Sequence, residues 1–94
     1  MARSPKTYRV RAVTWRSQAR DAPNVAPTIQ RLAKRIRMLR LASELTQEAA
    51  AERAKLDEKH WQDLEAGRTN PTLATLIGVA RSLGVRLGEL FEGL

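Results

Sequence analysis

The chain has 94 residues, a net charge of +7 and a sequence pI of about 11.1, with 43% hydrophobic residues and no cysteine. That length suits one small packed domain and excludes two. The missing cysteines exclude a disulfide framework and a thiolate-held metal, and the positive balance points to a polyanion such as nucleic acid rather than to a merely solubilised surface.

Residues 1–28 carry Arg3, Lys6, Arg9, Arg11, Arg16 and Arg20 against the single acid Asp21, a net +5 that leaves only +2 for residues 29–94. Three prolines and almost no helical periodicity predict a basic arm here, extended or partly disordered. Within it, residues 8–15 (Tyr-Arg-Val-Arg-Ala-Val-Thr-Trp) have strand-like composition. A lone strand is unstable, so this stretch needs a partner: a second copy in a dimer, or another protein. The functional alternative to a loose tail is an arm lying along phosphates or in a minor groove. Residues 21–27 read as a linker.

Thr28 is the expected cap of a first helix over 29–42. Ile29, Leu32, Ile36 and Leu39 repeat at spacings of three and four and give it one apolar face. Arg31, Lys34, Arg35 and Arg37 cover the rest.

The next stretch, 45–67, organises the chain. It reads as two short helices joined by a tight turn, the first over 47–53 capped by Thr46, the second over 58–66 capped by Asp57. Their side-chain oxygens suit the free N–H groups of a first turn. Glu48 and Glu58 lie where the helix dipole favours negative charge. Ala50, Ala51, Ala54, Leu56, Trp61 and Leu64 fall where two crossed helices meet, the pattern of a helix-turn-helix. Beyond a loop at 68–71, Thr72 caps a fourth helix over 73–83, with Leu73, Leu76, Ile77, Ala80 and Leu83 expected to face inward and Gly84 to end it in the left-handed conformation. A short fifth helix over 86–91 closes the core with Val85, Leu87, Leu90 and Phe91. Leu90, Phe91 and Leu94 are more apolar surface than so short a helix easily hides, so a self-pairing interface is the alternative fate for them.

Residues Leu45-Thr46-Gln47-Glu48, Ala51, Arg53-Ala54, Leu56, Leu64-Glu65, Gly67 and Asn70-Pro71-Thr72-Leu73 resemble the lambda-repressor-like, Cro/CI-type helix-turn-helix family. The resemblance runs from about residue 29 to 91. It implies an all-α, compact five-helix domain at 29–94 behind the basic arm 1–28, with sequence-specific DNA binding in transcriptional control as its work. By the same resemblance Glu58, Lys59, Gln62 and Asp63 match positions that reach base edges. Gln47, Arg35, Arg68 and Thr69 are the expected phosphate contacts, and Arg40 pairs with Glu65 to tie the first helix to the third. A planar guanidinium suits that pairing because it binds a carboxylate in two places.

Three departures from the family pattern stand out. Lys55 occupies the turn where the family usually has glycine, a position of expected positive φ. Ala50 stands where Leu is usual and Trp61 where Ile or Val is usual, a small-for-large exchange that makes Trp61 a core residue. The helix expected to read bases is acidic. Lys59 can donate to guanine, Gln62 can bond adenine twice and the carboxylates can accept from cytosine N4, but they repel phosphates, which the basic arm and first helix would offset.

No catalysis is expected: His60 is the single histidine, and no serine–histidine–carboxylate cluster, metal-ligand set or glycine-rich phosphate loop is present, so no cofactor or metal is expected either. No apolar run approaches membrane-span length and no signal-peptide core follows the basic N-terminus, so a cytoplasmic, nucleoid-associated protein is expected. The leading expectation is a dimeric, operator-binding transcriptional regulator, a repressor, acting on double-stranded DNA with the helix 58–66 in the major groove. The alternatives are an antitoxin-type DNA-binding partner of a toxin, held through residues 8–15, and a helix-turn-helix used as a protein-interaction module.

Overall fold

The computed structural model describes residues 22–94. The readings of residues 1–21, including the strand-like stretch at 8–15, lie outside the described residues. Among the described residues five helices follow one another: α1 Val25–Ala42, α2 Gln47–Ala54, α3 Glu58–Ala66, α4 Leu73–Leu83 and α5 Leu87–Leu90. Among the described residues there is no strand.

Helix α1 begins four residues earlier than the sequence suggested, running through Pro27. Proline is compatible with a first turn because those N–H groups have no partner inside the helix. Thr28 therefore lies within α1 and caps nothing; the cap position is Asn24, at φ 73° and without a side-chain hydrogen bond. Leu32, Ala33 and Ile36 are its buried apolar residues.

Helices α2, α3 and α4 all end in one way. A residue in the left-handed region follows the last turn, and two backbone bonds close over it: Lys55 (φ 61°), with Leu56 N–H donating to the Ala51 carbonyl at 2.9 Å; Gly67 (φ 71°), with Arg68 to Asp63 at 2.9 Å; and Gly84 (φ 70°), with Val85 to Ala80 at 3.0 Å. This is the Schellman arrangement, which satisfies carbonyls the helix leaves free. Two of the three positions use glycine; Lys55 adopts the same backbone with a Cβ in place. The starts are less uniform. The hydroxyls of Thr46 and Thr72 accept from Ala49 N–H and Thr75 N–H, at 3.0 and 3.1 Å. Asp57 holds the cap position of α3 but makes no side-chain cap bond.

The core gathers Leu32, Ile36, Ala50, Ala51, Ala54, Trp61, Leu64, Leu76, Val79, Ala80, Leu83 and Leu90. Trp61, Ile36, Leu90 and Val79 are its largest fully buried side chains. Ala50 and Trp61 are both fully buried, so the small-for-large exchange sits inside the core. Two inward assignments in α4 are corrected: Leu73 is 61% exposed and Ile77 47%. The buried side of α4 is turned toward Gly78, Val79 and Ser82 instead. Small residues on both helices bring the backbones together: Ser82 Oγ donates to the buried Ala50 carbonyl at 2.7 Å, and a Cβ on Gly78 would sit 3.2 Å from the Ala54 carbonyl. Close backbone approach, rather than bulk, selects this face. Phe91, expected in the core, is 39% exposed, while Leu90 beside it is fully buried.

Candidate nucleic-acid interface

The second helix of the pair is fixed by one carboxylate. Glu65 accepts from Arg40 Nε at 2.5 Å and Arg40 Nη2 at 3.0 Å, from Gln47 Nε2 at 3.0 Å, and from Trp61 Nε1. The Arg40 and Glu65 side chains are only 10% and 3% exposed. Arg40 also donates to the Leu45 carbonyl at 2.8 Å. One buried anion thus gathers α1, the start of α2 and the preceding turn of α3, with the Trp61 ring packed in the core beneath it. Burial raises the Glu65 pKa, but the donors from Arg40, Trp61 and Gln47 outweigh it, and the carboxyl sits below its ordinary range. A buried charge held by several donors costs little to keep and much to unpair.

A second tie joins α1 to the far end of α3. Gln30 Nε2 donates to the Gly67 carbonyl at 3.4 Å, and a Cβ on Gly67 would fall 2.3 Å from that amide. The left-handed backbone at Gly67 favours glycine, and a Cβ there would push the Gln30 amide aside. The sequence reading missed Gln30; it lies on the turn nearest the boundary where a linker was expected.

The outward side of α3 carries Glu58 and Lys59, both exposed, and Gln62 and Asp63, both half-buried. These four are brought together, and they pair with one another. Lys59 Nζ donates to Asp63 Oδ1 at 3.0 Å, and Arg68 Nε donates to the same oxygen at 3.1 Å. Gln62 Nε2 lies 3.5 Å from Glu58 Oε2, at the limit of a hydrogen bond. The Lys59 donor is the main cause that holds the Asp63 carboxyl below its usual range, burial opposes it, and Arg68 adds to the lowering.

The four expected phosphate contacts separate. Gln47 opens α2 and is half-buried; its bond to Glu65 commits one of the two amide hydrogens. Arg68 is exposed and Thr69 half-buried, both directly past α3. Arg35 departs from the expectation. Its Nε donates to the Glu89 carbonyl at 2.9 Å and its Nη2 to Glu92 Oε1 at 3.0 Å. Five residues of helix turn the chain by roughly 140°, so Arg35 and Arg40 reach different neighbours, α5 and α3. Its guanidinium serves the C-terminal end of the fold.

Among the described residues, no group of three or more histidine or acidic side chains could hold a metal, and no helix is long and apolar enough to cross a membrane. A helix-turn-helix domain model matches residues 31–92. The chain belongs to that helix-turn-helix family. It is 38% identical over 64 residues to the HTH-type transcriptional regulator DdrOP3 of Deinococcus deserti, covering 68% of this chain and 50% of that protein. It is 39% identical over 57 residues to the immunity repressor protein of Bacillus phage phi105, covering 61% of this chain and 40% of that protein. The chain therefore spans half or less of the length of these relatives. Among solved structures it is similar to the restriction-modification controller protein C.AhdI of Aeromonas hydrophila, with a TM-score of 0.66 and 32% identity over 67% of this chain and 96% of that one. The five-helix, lambda-repressor-like fold expected from the sequence is the fold observed.

Proposed function

We infer that the protein is a sequence-specific DNA-binding transcriptional regulator that seats α3 in the major groove. The observation that carries this reading is the division of α3 into two sides. Trp61, Leu64 and Glu65 are locked inward and to α1, while Glu58, Lys59, Gln62 and Asp63 present hydrogen-bonding groups outward. A rigid helix with a polar outer face is what base-edge readout requires. Gln47, Arg68 and Thr69 flank that face as phosphate contacts, with the α2 N-terminus adding free N–H groups. The exposed Arg31, Lys34 and Arg37 of α1 and the six basic residues of the arm supply further positive field.

Repression is the mode supported by a relative named as a phage immunity repressor, and we take the regulator to act as a homodimer. Phe91 and Leu94 at the C-terminal end, with Met38 of α1, are exposed apolar surface that a second copy would cover. Two half-sites about one helical turn apart would follow. The work is binding rather than catalysis, and its place is the nucleoid of the cytoplasm.

The deciding experiment is selection of bound sequences from a random duplex pool. A palindromic consensus is expected; a pool that stays random through successive rounds overturns the reading. A protein-interaction module is the second reading, favoured by the acidic side chains Glu48, Glu52 and Glu58 around one shallow depression on α2 and α3. Binding of random duplex separates the two: a regulator shows a steep salt dependence, a protein-binding module a flat one.

A further inference from the structure

The geometry points to Asp63 as a specificity-determining residue: a carboxylate that sequesters the two cations flanking the reading face, Lys59 and Arg68, and so suppresses binding to non-cognate duplex. The inference rests on the DNA-binding reading above. Its basis is that both cations meet a single oxygen, Asp63 Oδ1, at 3.0 and 3.1 Å. Lys59 and Arg68 are otherwise well exposed, at 73% and 61% of their side chains, and have no second acidic partner among the described residues. They approach from opposite directions along the chain, one a turn before Asp63 and one from the loop after α3. Asp63 is the hinge of this arrangement, and the same two donors hold its carboxyl below its ordinary pKa range.

A duplex of arbitrary sequence can engage Lys59 and Arg68 only by drawing them away from Asp63, which would leave the carboxylate beside phosphates with neither counter-charge nor donor, so on such a duplex both cations stay with Asp63. A site that offers a cytosine N4 amine restores a donor to Asp63 while both cations move to the backbone. Non-cognate DNA therefore forgoes both phosphate contacts and cognate DNA gains them. Discrimination thus comes from a repulsive element as well as from an attractive one.

The test is the affinity of the full chain for a short random-sequence duplex, measured from about 50 to 200 mM salt. Asp63→Asn should bind about tenfold more tightly at low salt, with a log–log salt slope steeper by about 1 to 2, since each cation released to a phosphate adds close to 0.9. Glu58→Gln removes a carboxylate from the same helix face that holds no cation, so its slope should move less. Arg68→Gln should change the wild-type slope little and lower the Asp63→Asn slope by about 1. Asp63 lies at the surface, and a melting curve for Asp63→Asn close to wild type checks that the fold is retained. In selection from a random pool, Asp63→Asn should lose the cytosine preference at one position of each half-site.

An unchanged slope in Asp63→Asn, or a Glu58→Gln shift as large as that of Asp63→Asn, overturns the clamp and leaves DNA binding standing. If no duplex is bound by either protein in low salt, the DNA-binding reading falls and this inference falls with it.

Discussion

Arg40→Ala is the most demanding perturbation of the frame that holds the reading helix. It removes two donors from Glu65, a side chain only 3% exposed. Breaking a buried pair at one end typically costs about 3–5 kcal/mol because the remaining charge is left without a partner. Trp61 Nε1 and Gln47 Nε2 still donate to Glu65, so the lower end of that range, about 3 kcal/mol, is expected here. For a domain of this size about 1 kcal/mol moves Tm by roughly 4–8 °C, so Tm should fall by more than about 10 °C. Arg37→Ala, at an exposed position on the same helix, should change stability by less than about 0.5 kcal/mol. Thermal melts followed by circular dichroism measure both. The pH dependence gives an independent readout. The folded-state pKa of Glu65 is depressed, so its contribution is present above the unfolded carboxylate value and is lost as pH falls through the depressed one. Wild type should lose stability across that acid window, and Arg40→Ala should lose distinctly less. The double variant Arg40→Met/Glu65→Leu should recover only part of the loss, since it leaves no charge unpaired but strands the buried Trp61 N–H without its acceptor. Equal melting temperatures for Arg40→Ala and Arg37→Ala would refute the reasoning.

Other substitutions test separate parts of the fold. Trp61→Ala should cost about 3–5 kcal/mol in denaturant titration, whereas Trp61→Phe keeps most of the packing and loses the charge-assisted bond to Glu65, for about 1.5–3 kcal/mol. Lys55→Gly should raise Tm slightly, because it relieves a left-handed conformation worth roughly 1 kcal/mol against the greater unfolded-state freedom of glycine; a large drop would reveal a contact made by the lysine. Ile77→Ser, on the exposed side of α4, should stay within about 0.5 kcal/mol of wild type, and Leu90→Ala, from a fully buried position, should cost about 2–5 kcal/mol; similar costs would show that the face of α4 is misassigned. Deleting residues 1–21 should weaken binding to random duplex and flatten its salt dependence, and an unchanged slope would remove the arm from the interface.

The amino-acid sequence by itself determined the local punctuation of this protein. Thr46 and Thr72 mark helix starts, and Gly67 and Gly84 mark helix ends, because capping chemistry and positive φ act over three or four residues and need no tertiary partner. The periodicity of residues 29–39 likewise placed one face of α1 inward. The Arg40–Glu65 pair was suggested by resemblance, since no local rule links residues so far apart in the chain. What only the tertiary structure decided is which way ambiguous faces turn and what each long side chain meets. Leu73 and Ile77 have the right spacing for a core, yet α4 rotates toward Gly78 and Ser82, because small residues let two backbones close in and hydropathy counts reward bulk alone. Arg35 and Arg40 look alike in the sequence, yet one serves α5 and the other braces α3, because the helical turn between them sends two identical guanidinium groups to different neighbours. Gln30 and the Asp63 clamp belong to the same class: hydrogen bonds between side chains and their surroundings depend on separations that a linear pattern does not contain.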